Sequence, residues 1–295
     1  MPDALQPPAL KVPRPAPIAA AGPRRVAWSG RGMAASDGAG VQLTRVIGQP
    51  ALPDLDPFLM LDEFGSDDPT AYIAGFPDHP HRGFETVTYM LAGRMRHRDN
   101  KGNEGLLTAG SVQWMTAGRG IVHSEMPEQE EGLMQGFQLW LNLPAKDKMT
   151  APRYQDIAPE RIPVATPAPG VTAKVIAGEL AGVRGPVEAG ATEPFYVDIR
   201  LEPGAALTVP LTPGHNAFAY VYEGQAEVAD GVLERGRIGV LSDGDSVALT
   251  SASGARLILV AGKPLREPVA KYGPFVMNTT DELRQAFADY QAGRF

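Results

Sequence analysis

From about residue 41 onward, the chain alternates short β-type runs with turn residues. Such runs, separated by Gly, Pro and Asp, predict β-strands and an all-β sandwich or barrel. Those of the first half read FETVTYML, SVQWMTA and MQGFQLWLNL. Those of the second half read FYVDIRL, ALTVPL, AFAYVYEG, IGVLS, SVALTS and RLILVAG. The pattern therefore predicts two successive groups of strands.

The segment over residues 144–170 separates the two groups and contains six prolines. Because proline cannot donate a hydrogen bond to a strand ladder, we expect this segment to break strand pairing and to connect two domains. The similar length of the two groups suggests an internal duplication, although no fixed-period repeat is visible. The predicted units are a flexible Pro/Ala-rich tail over 1–30, a first domain over 31–145, the connection over 146–170, a second domain over 171–278 and a helix over 279–295.

The last residues, TTDELRQAFADYQAGRF, change from the strand pattern to a helical one. Thr279 and Glu282 have the spacing of a capping box, which begins a helix. Leu283, Phe287 and Tyr290 fall on one helical face. We expect one amphipathic helix that packs on a barrel.

Composition limits the kinds of protein that this chain can be. Of 295 residues, 43% are hydrophobic and 21% are charged, which is typical of a globular protein. A net charge of −7 and a pI near 5.3 argue against binding to nucleic acid or to an anionic membrane. Because the chain has no cysteine, any metal must be held by nitrogen and oxygen atoms.

Two kinds of sequence segment bear on the location of the protein: membrane-spanning helices and export signals. No apolar run approaches the roughly 20 residues that a membrane helix requires, so we expect a soluble protein without a membrane partner. The pair Arg24 and Arg25 raises the question of a twin-arginine export signal. The following VAWSGRGMAASDGAG is too rich in Gly and Ser to form the apolar part of such a signal, and we expect a cytoplasmic protein.

Three of the five histidines lie in two short stretches, PDHPHRGFE and IVHSEM. Side chains two positions apart on a strand point to the same face, so His79 pairs with His81 and His123 pairs with Glu125. Two neighbouring strands of a barrel can bring these four groups to one metal ion. Pro80 favours an edge strand for the first pair, because it lacks a backbone N–H.

The rest of the ligand set has alternatives. Glu85 shares the strand parity of His81 and is a rival carboxylate ligand, with an outer-shell or packing role otherwise. His97 lies in the charged, turn-rich RMRHRDNKGNEG, and we expect it to be exposed. His215 has no potential partner ligand two positions away, so we expect the second domain to bind no metal.

Three imidazoles and a carboxylate suit a divalent transition ion such as Fe, Mn, Co, Ni, Cu or Zn. Four protein ligands on tetrahedral zinc leave no open position, which is the arrangement of structural zinc sites. On an ion that prefers six ligands, two positions remain for water, O₂ or substrate. The site would therefore be structural with zinc and reactive with iron.

The motifs HPHRGFETVTYMLAG and GSVQWMTAGRGIVHSEMP resemble the two metal motifs of cupins in the form found in pirins. The flanking RVIGQPALPDLDPFLMLDEFG and PLREPVAKYGPFVMNTTDELRQAFADYQAGRF also resemble pirins, so the likeness runs from about residue 40 to 295. It implies a bicupin of two jelly-roll β-barrels with a C-terminal helix. It also implies one metal, usually Fe(II), in the first barrel and none in the second. The implied ligands are His79, His81, His123 and Glu125, whereas the position of Glu85 is not a ligand position in pirins.

The resemblance also implies a function. Some bacterial pirins are assigned as quercetin 2,3-dioxygenases, which open a flavonol ring with O₂ and release carbon monoxide. Glu125 would accept the flavonol hydroxyl proton, although a metal-bound carboxylate is a poor base unless it loosens from the ion. We expect Phe76, Trp114 and Met115 to line an apolar mouth that binds the flat aromatic substrate.

Two alternatives to this enzyme stay open. Eukaryotic pirins are transcription co-regulators, so the chain can instead be a non-catalytic, metal-dependent regulator that acts through a protein partner. The acidic charge disfavours direct contact with DNA. The third reading is a zinc ion that only stabilises the barrel.

Overall fold

A computed structural model describes residues 22–188 and 190–295 and contains two β-barrels and one α-helix. The strands of the first half are β1 (Val26–Arg31), β2 (Met33–Asp37), β3 (Val41–Ile47), β4 (Phe58–Ser66), β5 (Phe76–His81), β6 (Phe84–Ala92), β7 (Met95–Asp99), β8 (Glu104–Leu107), β9 (Val112–Thr116), β10 (Ile121–Pro127), β11 (Met134–Asn142) and β12 (Arg153–Ile157). Single 3₁₀ turns lie at Pro69–Ala71, Ala145–Asp147 and Pro159–Arg161.

The strands of the second half are β13 (Val164–Ala168), β14 (Val171–Ala177), β15 (Glu179–Leu180), β16 (Val183–Arg184), β17 (Phe195–Leu201), β18 (Ala205–Pro210), β19 (Asn216–Val228), β20 (Gly231–Glu234), β21 (Arg237–Leu241), β22 (Ser246–Ser251), β23 (Ala255–Gly262), β24 (Ala270–Tyr272) and β25 (Phe275–Met277). The helix α1 spans Thr280–Gln291. Within the described residues, no helix is long and apolar enough to span a membrane.

Two sheets form the first barrel. One has seven strands in the order β12-β9-β6-β11-β4-β3-β2, and the other has four in the order β5-β10-β7-β8. All strand pairs in these two sheets are antiparallel. Because side chains alternate between faces, each sheet directs one set of side chains into the barrel.

The second barrel is built on a ten-stranded sheet whose central path is β1-β21-β19-β23-β17-β14-β13. Strands β18, β20 and β22 complete it by pairing with one another or with β19. Its interior is filled by aliphatic side chains such as Val197, Leu233 and Leu257, all of which are fully buried. This barrel therefore has a packed core.

The predicted tail over 1–30 is wrong for its last part. Strand β1 pairs antiparallel with β21, with Trp28 opposite Val240, so these residues belong to the second barrel. Arg24 is also buried, and its guanidinium donates hydrogen bonds to three carbonyl oxygens, those of Thr212, His215 and Ser242. These contacts explain how a segment without apolar periodicity is ordered. Residues 1–21 lie outside the described residues.

The prediction that residues 144–170 contain no strand ladder is also wrong. Strand β12 pairs with β9 of the first barrel, and β13 pairs with β14 of the second. Both strands lie at the ends of their sheets, where one side of the ladder carries no partner strand. Proline is tolerated at such edges because its missing N–H is not needed there.

The C-terminal segment returns to the first barrel instead of closing the second. Val276 of β25 packs with Leu59 and Phe84 of the first barrel. The predicted helix is confirmed, since Thr279 and Glu282 form a capping box. Of the predicted apolar face, Leu283 is buried, and the Phe287 ring lies 4.7 Å from that of Phe275.

The two barrels share one apolar core, which contains side chains from both, such as Phe137 and Phe218. A buried polar contact lies inside this interface. The Asp198 carboxylate accepts hydrogen bonds from the hydroxyls of Tyr89, at 2.7 Å, and Tyr222. Because Tyr89 belongs to the first barrel and Asp198 to the second, this carboxylate joins the two barrels.

Candidate metal centre

His79, His81 and His123 form a compact cluster inside the first barrel. One ring nitrogen from each lies within 4.8 Å of the others. The ring centres are 4.4 Å apart for His79 and His123, 4.7 Å for His79 and His81, and 5.0 Å for His81 and His123. Among the residues described, this is the one group of three or more potential ligand side chains close enough to share an ion.

Strand geometry produces the cluster. His79 and His81 lie two positions apart on β5 and therefore face the same side. Strand β10 pairs antiparallel with β5 so that His123 lies directly opposite His79. As Pro80 predicted, β5 is an edge strand of its sheet. The spacing thus placed His79 beside His81, and the pairing of β5 with β10 brings His123 to them.

The electrostatic environment keeps the buried imidazoles neutral. Burial, followed by the neighbouring histidines, lowers the pKa values of His81 and His123 well below their usual range. Nδ1 of His79 donates a hydrogen bond to the carbonyl oxygen of Pro77 at 2.8 Å, so Nε2 is the ring nitrogen that remains for a metal. A neutral imidazole is the form that binds a metal.

The cluster passes a chemical test for a metal. Nδ1 of His81 and both ring nitrogens of His123 are buried and have no hydrogen-bond partner among the described residues. Buried polar atoms are normally paired, so such atoms need an explanation. The unpartnered nitrogens of His81 and His123, beside the ring of His79, fit a divalent transition ion that would bind one nitrogen of each ring.

Glu125 lies near this cluster but is not one of the three side chains within 4.8 Å. It is 2% exposed and faces the same cavity as His79 and His81. Its carboxylate contacts the opposite sheet, where Thr88 Oγ1 lies 3.0 Å from Oε1 and Gln138 Nε2 donates to Oε2 at 3.2 Å. The role of Glu125 as fourth ligand stays a prediction.

Glu85 points elsewhere. Its carboxylate accepts a hydrogen bond from Thr116 Oγ1 at 2.6 Å and lies near Gly190. Burial raises the pKa of this carboxyl. Glu85 belongs neither to the histidine cluster nor to the cavity lining, so it is a packing residue.

The remaining histidines differ in their environments. The prediction that His97 is exposed is wrong, because it is fully buried. On β7 it alternates with the more exposed Arg96 and Arg98. Because these neighbours are charged, the sequence does not indicate that the side chain at position 97 points inward. His215 of the second barrel lies 3.8 Å from Glu193. The absence of a metal from that barrel stays a prediction.

A cavity of about 730 Å³ opens in front of the cluster. His79, His81 and Glu125 face it. Of the three predicted substrate-binding residues, only Phe76 lines it. Trp114 and Met115 are buried in the core because every residue of β9 is covered.

Sequence reasoning missed the residues that form much of the cavity wall. Trp140 and Gln138 lie two apart on β11, opposite in parity to the buried Phe137, Leu139 and Leu141. The alternation of MQGFQLWLN therefore carried a signal for this face. Lys271 and Tyr272 of β24 also line the cavity, and no local pattern predicted their return from the far end of the chain.

The charged side chains at the cavity are largely paired. Arg45 donates two hydrogen bonds to Asp62, at 3.0 and 2.7 Å, and a third to Asp37. The hydrogen bonds that Arg45 donates to Asp62 raise the pKa of Arg45, so this guanidinium stays charged. Asp37 and Asp62 thus pair this guanidinium.

Comparison with known proteins agrees with the site and the fold. The family model described as Pirin matches residues 40–141, and that of the Pirin C-terminal cupin domain matches residues 196–295. The chain belongs to the pirin family. It is therefore a bicupin, as the motifs implied. A pirin-like protein of Caulobacter vibrioides is 52% identical over 266 residues, covering 90% of this pirin and 96% of that protein.

Solved structures support the same assignment. A quercetin 2,3-dioxygenase from Acinetobacter baumannii has a TM-score of 0.87 and 34% identity, covering 93% of this pirin and 99% of that chain. The bacterial pirin YhhW from Escherichia coli, in complex with nickel(II), has a TM-score of 0.66 and covers 80% of this pirin and 98% of that chain. At 18% identity, the second likeness concerns the fold alone.

Proposed function

We propose that this pirin is a metal-dependent dioxygenase of the quercetin 2,3-dioxygenase type, with iron as its metal. One observation carries the proposal: His79 and His81 of the three-histidine cluster face, together with Glu125, one cavity of about 730 Å³. Sites for small molecules have volumes of roughly 300–1,000 Å³ and apolar walls with few polar groups. The name of the similar Acinetobacter protein supports a flavonol as substrate.

In this proposal His79, His81 and His123 hold the iron, and Glu125 supplies a fourth ligand atom or a base. The bound metal would polarise the flavonol oxygen and assist the reaction with O₂. The protein would provide the binding surface. Phe76 and Trp140 line the cavity, and the Trp140 indole lies 5.3 Å from the His81 ring, so a flat ligand can pack between aromatic walls.

Glu125 would accept the proton of the flavonol hydroxyl, and its contacts support a position in which that proton would be held. Gln138 donates through Nε2 to Oε2 of Glu125, so its amide oxygen faces Thr88, whose hydroxyl lies 2.6 Å away. The one hydroxyl proton of Thr88 is then used by Gln138. A proton on Oε1 of Glu125 would be donated to Thr88 Oγ1, at 3.0 Å, and would close a ring of three hydrogen bonds.

The test is aerobic turnover of quercetin by the iron-loaded protein, with flavonol loss and released carbon monoxide measured together. General-base assistance contributes about 10²–10⁴-fold, so Glu125→Gln is expected to lose that much turnover while still folding. His123→Ala should lose both metal and turnover. Glu85→Gln is the matched control, because it changes a buried carboxyl outside the cavity, and it should keep its turnover.

Two results would refute the proposal. The first is the absence of turnover with Fe, Mn, Co, Ni and Cu across common flavonols. The second is a Glu125→Gln variant as active as the wild-type protein, since the base would then be another group.

A further inference from the structure

A fourth imidazole, that of His97, lies behind the metal cluster. Strand β7 pairs with β10 so that His97 is directly opposite Glu125 and Asp99 is opposite His123. All four side chains therefore face one side of the sheet. The centre of the His97 ring lies 6.5 Å from that of His123 and 4.7 Å from that of Tyr154.

His97 is not itself a candidate ligand, because it does not belong to the group whose nitrogens lie within 4.8 Å of one another. It is fully buried, and neither ring nitrogen has a hydrogen-bond partner among the residues that the structure describes. Neither ring nitrogen of His123 has such a partner, and the buried Tyr154 hydroxyl lacks one as well. Five buried polar atoms from three neighbouring side chains thus need partners.

A metal ion can satisfy only one of the two nitrogens of His123. Metal-binding histidines almost always use the second nitrogen in a hydrogen bond, which fixes the tautomer and the orientation of the ring. His97 and Tyr154 are the neighbouring polar side chains whose own hydrogen-bonding atoms are free to serve this nitrogen.

We propose that His97 is a positioning residue for the metal centre, which acts on His123 through one buried water that the Tyr154 hydroxyl also binds. The water holds the His123 ring in a single tautomer, with one nitrogen toward His79 and His81 and the other toward His97. The ring centres are 6.5 Å apart, and at that separation no nitrogen of one ring reaches a nitrogen of the other at the roughly 2.7–3.2 Å of a direct hydrogen bond. It fits a bridge through one water, which needs two to four polar partners.

The surroundings of His97 support this arrangement. Gly105 of β8 lies directly opposite His97, and a Cβ atom there would come 3.1 Å from Cδ2 of the ring, so glycine provides the space that the ring occupies. Burial, with a further effect of Asp99, raises the pKa of Tyr154. Its hydroxyl therefore keeps its proton, and its oxygen can accept a hydrogen bond from the water.

The experiment measures Co²⁺ binding by calorimetry and by the visible spectrum of the Co²⁺ protein. Loss of a group that orients a metal ligand typically costs 10–100-fold in metal affinity, so we expect His97→Leu to bind Co²⁺ roughly that much more weakly. His97→Gln keeps a donor and an acceptor and should restore most of the affinity. Tyr154→Phe removes a single oxygen atom and should give an intermediate loss.

Nitrogen NMR of the metal-free wild-type protein gives a second readout that needs no variant to fold. His123 should show one tautomer with a hydrogen-bonded N–H, and a mixture of tautomers would overturn the proposal. Co²⁺ affinity unchanged in His97→Leu would also overturn it. Equal losses in the Leu and Gln variants would instead assign His97 a packing role. None of these readouts depends on flavonol turnover, so they stand apart from the proposed activity.

Discussion

Lys148 should make the stability of this pirin depend on pH in a predictable way. The side chain is 1% exposed, and Nζ donates hydrogen bonds to Gly83 O at 2.7 Å, Asn142 Oδ1 at 2.6 Å and Val276 O at 3.0 Å. It therefore joins the segment after β5, the end of β11 and the C-terminal segment. The perturbation is the replacement Lys148→Met, which removes the charge and keeps a similar length.

Burial lowers the pKa of Lys148 from 10.5 to about 8. Between these pH values the unfolded chain binds more protons than the folded protein, so the free energy of unfolding rises with pH. This lowering of the pKa corresponds to roughly 3 kcal/mol in total. Most of it, about 2–3 kcal/mol, falls between pH 7 and pH 10. Below pH 8 both states are protonated, and this contribution becomes constant.

The assay is urea unfolding of the wild-type protein and of Lys148→Met at several values between pH 7 and pH 10. The wild-type free energy of unfolding minus that of Lys148→Met should rise by about 2–3 kcal/mol over this range. Lys146→Met is the matched control, because Lys146 is exposed in the same segment, and its difference from wild type should stay flat. A difference that is flat or falls with pH for Lys148→Met would refute the reasoning.

Three further perturbations follow from the structure. Tyr89→Phe removes a hydrogen bond to the buried Asp198 and should lower the free energy of unfolding by about 1.5–3 kcal/mol in urea, whereas Tyr196→Phe, whose hydroxyl has no partner among the described residues, should cost less. Equal costs would contradict this account of the interface. Gly83→Ala should cost at least ~1–2 kcal/mol in the same assay, because φ is +88° and its Cβ would lie 2.0 Å from Val276 O; a neutral result would contradict that geometry. Chelation should lower the melting temperature, since a metal at a hundred times its Kd stabilises by about 2.7 kcal/mol; an unchanged melting temperature would speak against a folded-state metal site.

Much of the architecture follows from local patterns. The alternation of the strand runs predicts an all-β protein, and the capping box predicts α1. In each case the residues that form the pattern lie within a few positions of one another in the sequence. Strand β1 was missed because its partner β21 is more than two hundred residues away in the sequence, for example at Gly30 opposite Ile238. No local pattern announces such a distant pairing.

The candidate metal centre was likewise predictable only in part from local patterns. The period of two along a strand was sufficient to place His79 beside His81, and the register of β5 and β10 then brought His123 to them. The burial of His97 was not predicted, because the arginines on both sides made its segment resemble an exposed turn. The cavity wall could not be predicted in full, since part of it comes from β24, which returns to the first barrel through tertiary packing.

The central claim is that one metal ion is held by the three-histidine cluster in the first barrel. It is tested most directly by the metal content of freshly purified protein, compared with that of the double variant His79→Ala/His81→Ala. The account predicts close to one transition-metal ion per chain in the wild-type protein and in the control Glu85→Gln, and almost none in the double variant. Full retention of the metal by the double variant would contradict it.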